Sequence, residues 1–165
     1  MKTYFLTVLL IFAPVLRAEK FQGKHLEFEV PYNWKCQRKA LEWFCKPNSP
    51  TEKRDAIIIL STGLKRPEES FEELKKLISK KRSYQTPNGK KFSSIPKYTK
   101  FVTLNQHRWV DSFHLGGEIP NFYTRYLLTI KNKVSFSFSY SVRKEKIAKY
   151  QSSIEKSVKS LVLKN

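Results

Sequence analysis

The sequence predicts an α+β fold in which a mainly antiparallel β-sheet is packed with two amphipathic helices. Three observations carry that prediction. In residues 134–142, Val134, Phe136, Phe138, Tyr140 and Val142 fall on one side and Ser135, Ser137, Ser139 and Ser141 on the other. Successive side chains of a strand point to opposite faces, so this segment sets an aromatic wall against a core and a row of hydroxyls opposite it. Residues 67–82 and 144–163 instead repeat their apolar positions every three or four residues, the spacing of a helix with one buried stripe. Strands surrounding two helices, with no strict β–α alternation, place the chain among α+β domains.

Taken in order, residues 1–18 read as a signal peptide. Lys2 starts it, an apolar run follows to Leu16, and Ala18 offers a small residue for cleavage. The run is shorter than the roughly 20 residues that span a bilayer, and Pro14 interrupts it. Residues 19–165 are then a single exported domain, long enough for one hydrophobic core. In residues 25–30, Leu26, Phe28 and Val30 alternate with Glu27 and Glu29, the pattern of a half-buried strand closed by Pro31. Cys36 and Cys45 are the only cysteines; in an oxidising compartment they read as a disulfide across a short hairpin. Residues 56–62, Ala-Ile-Ile-Ile-Leu-Ser-Thr, are apolar on both sides and predict a strand covered on both faces.

The first helix is expected over residues 67–82, burying Phe71, Leu74, Leu77 and Ile78. Ser70 and Glu73 have capping-box spacing, although Pro67 suits an earlier start. Glutamates crowd its beginning and Lys80, Lys81 and Arg82 its end, as the helix dipole favours. Residues 83–100, with Pro87, Asn88, Gly89 and Pro96, are expected to be a long irregular loop, one that is functional, disordered or hiding a short strand. Strands at 101–104 and 108–115 follow, and Gly116-Gly117 breaks the second. The hairpin of residues 122–142 turns at Lys131-Asn132-Lys133, where Asn132 suits a left-handed conformation. A closing helix buries Ile147, Tyr150, Ile154, Val158 and Leu161.

Several of these features occur together in a known family. Phe28-Glu-Val-Pro31 followed by Trp34, the middle helix, the Arg125-Tyr126 strand beside the serine–aromatic strand, and a last helix ending Ser160-Leu161 resemble the PsbP-like family. The resemblance spans nearly the whole chain after residue 18. It implies an αβα sandwich, found in small exported or organelle-targeted proteins that act as binding or accessory subunits and not as enzymes. The cysteine hairpin and the strong basicity lie outside that pattern.

Charge points to the partners. The chain carries 32 Lys and Arg against 14 Asp and Glu, a net charge of +18. Lys2 and Arg17 are the only charges in the signal segment, so the exported domain keeps nearly all of that surplus. An excess of this size favours an anionic envelope component, such as lipid headgroups or a wall polymer, or an acidic protein. Nucleic acid ranks lower for an exported chain. The candidate binding residues are the cations and rings of the middle stretch: Lys80, Lys81, Arg82, Lys90, Lys91, Phe92, Lys97, Tyr98 and Lys100. Cations there would attract phosphate or carboxylate, and exposed rings would stack or enter a lipid interface.

Catalysis is the alternative reading. His107, Asp111 and His114 would share one face of a helix as a three-ligand metal set, but on a strand His114 points away from the other two. A Gly-x-Ser-x-Gly elbow, a phosphate-binding loop and a dinucleotide fingerprint are absent from the sequence. The reading is therefore of a non-catalytic binding or accessory protein without a cofactor. The rival is a metal-dependent or hydrolytic envelope enzyme, and a membrane-directed effector is a third possibility. Glu118 and Arg125 flank the bend before the central hairpin, as a structural lock or the lining of a cleft.

Overall fold

A computed structural model of the chain describes residues 19–86, 88–117 and 119–164, so the expected signal segment and Glu118 lie outside the described residues. In chain order the elements are β1 (Glu19–Gln22), β2 (Leu26–Val30), β3 (Trp34–Lys39), β4 (Glu42–Pro47), β5 (Ala56–Leu64), α1 (Phe71–Ile78), β6 (Arg82–Gln85), β7 (Lys91–Leu104), β8 (His107–Leu115), β9 (Phe122–Lys131), β10 (Val134–Arg143), α2 (Ile147–Lys159) and β11 (Val162–Leu163). A short 3-10 turn, Lys144–Lys146, leads into α2. The large sheet runs β3-β4-β5-β10-β9-β8-β7-β6, and β1-β2-β11 form a second, small sheet. All strand pairings are antiparallel.

The serine–aromatic strand β10 lies inside the large sheet, between β5 and β9. Phe136, Phe138, Tyr140 and Val142 are buried, while the intervening serines are half-buried on the opposite face. The aromatic face packs against the small sheet and α2: Phe28 meets Phe138 edge-on at 5.4 Å, and Tyr150, Ile154, Val158 and Leu161 complete the core. Full burial of one such side chain is worth about 1.5–3 kcal/mol, so this layer is the main source of stability. On the other face α1 covers β7, β8 and β9, with Leu74 and Ile78 packed on Val110. The turn between β9 and β10 is left-handed at Asn132 (φ 49°), as its residue type predicts.

Several expectations are corrected. The stretch 83–100 is not a loop: it forms β6, a tight turn and the first ten residues of β7. The turn closes through Thr86 N–H to Lys90 C=O at 2.9 Å, with Gly89 at φ 80°. Pro96 is tolerated because the β7–β8 register shifts between Pro96 and Tyr98, and a bulge needs no ladder donor there. Helix α1 is shorter than residues 67–82, because Ser70 is its N-cap and accepts from Glu73 N–H at 3.2 Å. Leu77 is exposed rather than buried. The last helix stops at Lys159; Val162–Leu163 leave it to pair with β2. The residue 25–30 strand belongs to the small sheet, together with an unforeseen β1. In β5, Ala56, Ile58 and Leu60 are buried, but Ile57 and Ile59 are only half-buried, so cover is complete on one face alone.

Candidate functional site

The predicted basic–aromatic stretch does not converge on one site. Lys80 and Lys81 lie beyond the C-terminus of α1, while Lys90 and Lys91 stand at the exposed β6–β7 turn. Arg82 donates to Leu77 C=O at 3.4 Å, and Phe92 stacks on Tyr84 at 5.4 Å and is half-buried, so both hold structure locally. Lys97, Tyr98 and Lys100 sit farther along β7, at and beyond the bulge, with Lys100 Nζ 5.1 Å from the Tyr98 ring centre.

Lys97 and Tyr98 border a cleft of about 530 Å³ between β7, β8, β9, β10 and α2. Tyr98, Phe113 and Tyr123 line it as a stacked row with centroids 6.0 and 5.6 Å apart. Beneath lies an ion network: Arg125 Nε and Nη2 donate to the two Asp111 oxygens at 2.8 and 3.0 Å, and Nη1 donates to Glu155 at 2.7 Å. Burial works against the guanidinium charge, but the Asp111 and Glu155 carboxylates outweigh it and bind the proton more tightly than usual. Burial, helped by the Glu155 charge, raises the Tyr140 phenol well above its ordinary range, and its hydroxyl donates to Glu155 at 3.2 Å. Three donor positions of Arg125 are thus aimed at carboxylates. The arrangement is a lock between two strands and α2, not an open anion hook.

The three residues of the metal hypothesis are dispersed by the β8 pleat. Asp111 is fully buried against Arg125, and His107 stands at the strand's start, opposite Leu104. His114 lies on the other face, where Ser94 Oγ at 2.8 Å and Ser112 Oγ at 2.9 Å occupy its two ring nitrogens. Burial lowers its pKa, favouring the neutral ring. Among the described residues no group of three or more His, Cys, Asp or Glu side chains is placed to hold a metal ion. Arg125, read from the sequence beside Glu118, takes Asp111 and Glu155 as its partners.

A second concavity, also about 530 Å³, was not foreseen. Its lining includes Lys35, Arg38, Lys39, Lys46 and Lys53, with Gln37 and Phe44 among the other lining residues. Lys35 and Lys46 are direct cross-strand partners, next to the Cys36–Cys45 pair. Like charges in that relation destabilise a hairpin, and here the adjacent disulfide holds the strands together across them. None of the five cations forms an ion pair with a described carboxylate; Glu52 and Asp55, close to Lys53 in sequence, are paired with Lys149 and Arg143.

No protein-family model and no curated protein matches the sequence. Solved structures do. The solution structure of cyanobacterial PsbP from Synechocystis aligns with a TM-score of 0.62 over 91% of this chain and 94% of that one, at 9% identity. The fold is PsbP-like. A Bacteroides thetaiotaomicron protein shares this PsbP-like frame with a TM-score of 0.55 at 14% identity, over 85% of this chain and 45% of its own. The Ran-binding protein Mog1p of Saccharomyces cerevisiae shares it at 0.51 and 9% identity, over 90% and 96%. At such identities the likeness is one of fold.

Within the PsbP-like frame, the cationic groove occupies the β3 edge of the large sheet and the β6–β7 hairpin the opposite edge. The groove was legible in principle. Pairing Cys36 with Cys45 in a hairpin sets Lys35 opposite Lys46, a juxtaposition that follows from counting outward by one residue.

Proposed function

We propose that this is an exported, non-catalytic binding or accessory protein that holds an anionic envelope component or an acidic partner protein through its basic surface. The observation that carries the reading is the groove of Lys35, Arg38, Lys39, Lys46 and Lys53, whose five cations converge without an ion pair to a described carboxylate. A fold that sets like charges opposite one another and braces them with a disulfide has accepted a local cost. That cost is offset when an anion bridges the charges. The disulfide suits an oxidising compartment, in keeping with export. Mog1p, which shares the PsbP-like frame, is by its description a Ran-binding protein. The cations at Lys80, Lys81, Lys90 and Lys91 supply a second, more dispersed basic edge.

The test is binding of a fluorescent soluble polyanion, polyphosphate or polyglutamate, to the purified domain across a salt series. Each surface cation near an anionic array is worth about 1 kcal/mol, so Lys35→Glu with Lys46→Glu and Lys53→Glu should weaken binding by about a hundredfold or more. The same number of reversals at Lys80, Lys90 and Lys91 should cost clearly less. Equal losses from both triples would show that net charge alone is at work and no site exists.

A further inference from the structure

At one end of the large sheet the β3–β4 turn, the end of β5 and the β9–β10 turn lie side by side. The register requires it: Lys39 pairs with Glu42, Glu42 with Ser61, Leu64 with Val134, and Val134 with Lys131. A backbone hydrogen bond from Lys65 N–H to Lys133 C=O at 2.9 Å ties two of these chain segments together just past the last paired residues. Leu41 and Leu64, 73% and 86% exposed, are the two most exposed large apolar side chains among the described residues, and both lie at this end. A single exposed leucine needs no explanation. Two at adjacent strand ends, surrounded by cations, form a composite feature.

The cations are Arg38, Lys39, Lys65 and Lys133. None of them is ion-paired with a described carboxylate. Arg66, by contrast, is held by Glu68 and Glu69; Glu42, opposite Lys39 in the register, is an acid within these strand ends, and the four cations outnumber it. The Ala40-Leu41 turn is also anchored: Arg38 Nε donates to Ala40 C=O at 3.2 Å, and the disulfide closes the hairpin behind it. Leu41 is therefore presented on a braced strut rather than on a floppy loop.

We propose that this end of the sheet docks on an anionic lipid bilayer, Leu41 and Leu64 entering the acyl boundary while Arg38, Lys39, Lys65 and Lys133 engage headgroup phosphates. The inference rests on the reading of the protein as a binder of anionic partners and names one such partner. Apolar tips flanked by lysines match the two layers of a bilayer interface, an oily interior under a negative surface. An acidic protein would meet the charge but makes little use of leucines this exposed: Leu41 borders a recess of about 340 Å³ beside Trp43 and Leu60, while Leu64, 86% exposed, stands out from the sheet end. The cationic groove begins at the same hairpin, at Arg38 and Lys39, so docking leaves Lys35, Lys46 and Lys53 of the groove free for an anionic polymer.

Co-sedimentation of the intact domain with vesicles decides the matter, using phosphatidylglycerol–phosphatidylcholine mixtures against phosphatidylcholine alone. Binding should require the anionic lipid, and part of it should survive salt that abolishes soluble polyanion binding, because burial of leucine is insensitive to screening. Leu41→Ser with Leu64→Ser should weaken vesicle binding by about tenfold per leucine. The same variant should leave polyphosphate binding unchanged. Vesicle binding indifferent to the serine variant, or no vesicle binding by a wild-type domain that still holds polyphosphate, would overturn the lipid assignment and leave the groove reading standing. Failure of the wild-type domain to bind either probe would remove both.

Discussion

Asp111 and Arg125 are 14 residues apart in sequence and share a bidentate contact because β8 and β9 run antiparallel with Phe113 opposite Arg125. Asp111 has no exposure to water, and that guanidinium is its ion-pair partner. Asp111→Ala should therefore cost about 3–5 kcal/mol, read as a lowered midpoint in urea unfolding, since Arg125 would be left with Glu155 alone. Asp111→Leu with Arg125→Met, which removes both charges, should recover much of the loss. His114 makes a different prediction. Burial lowers its pKa below the ordinary value near 6.5, so as pH falls the unfolded chain takes up that proton before the folded one does. Its contribution is fully present above about pH 6.5 and is lost as pH drops through the lower folded value. Melting curves should show wild-type stability declining over that window and His114→Asn declining less. Glu27 and Glu52, whose pKa values are lowered by hydrogen bonds from Lys20 and Lys149, titrate below the carboxylate value of 4.5 and should leave the His114 window clear. None of these contacts was readable in advance. A metal set was conceivable from His107, Asp111 and His114 only while the strand register was unknown.

Elements were more legible than contacts. The serine–aromatic alternation, the apolar steps of the last helix, the Ser70–Glu73 cap and the Asn132 turn are all local signals, and each appears in the structure where its residues lie. Residues 83–100 misled because their prolines, Asn88 and Gly89 read as loop chemistry, whereas Asn88 and Gly89 lie in a hairpin turn and Pro96 beside a bulge near the sheet edge. The cysteine hairpin carries the prediction at this scale. Closing a loop with a sequence separation of 9 is worth about 2–3 kcal/mol by chain entropy, so Cys36→Ala with Cys45→Ala should lower unfolding stability by that amount. Polyphosphate affinity should fall as well, because Lys35 and Lys46 would no longer be held side by side. Unchanged affinity in a folded double variant would separate the disulfide from the groove.

For the whole molecule, length and charge pointed to a single basic domain and hydrophobic periodicity to the α+β class, and the PsbP-like frame agrees with the family pattern carried by residues 28–34, 125–126 and 160–161. The division into two sheets was not legible. It depends on β11 returning to β2 through Leu163 opposite Leu26, on Lys164 N–H donating to His25 C=O at 2.9 Å, and on Ser160 Oγ accepting from Glu29 N–H at 2.8 Å. These partners are more than a hundred residues apart, and a two-residue strand has no periodicity to announce it. By itself the amino-acid order determined which segments pleat, which coil and which faces are greasy, because those properties depend on neighbours within a few positions along the chain. Only the tertiary structure decided which cations converge, which acid holds Arg125 and which leucines stay outside, because those depend on strand register and layer packing between residues far apart in sequence.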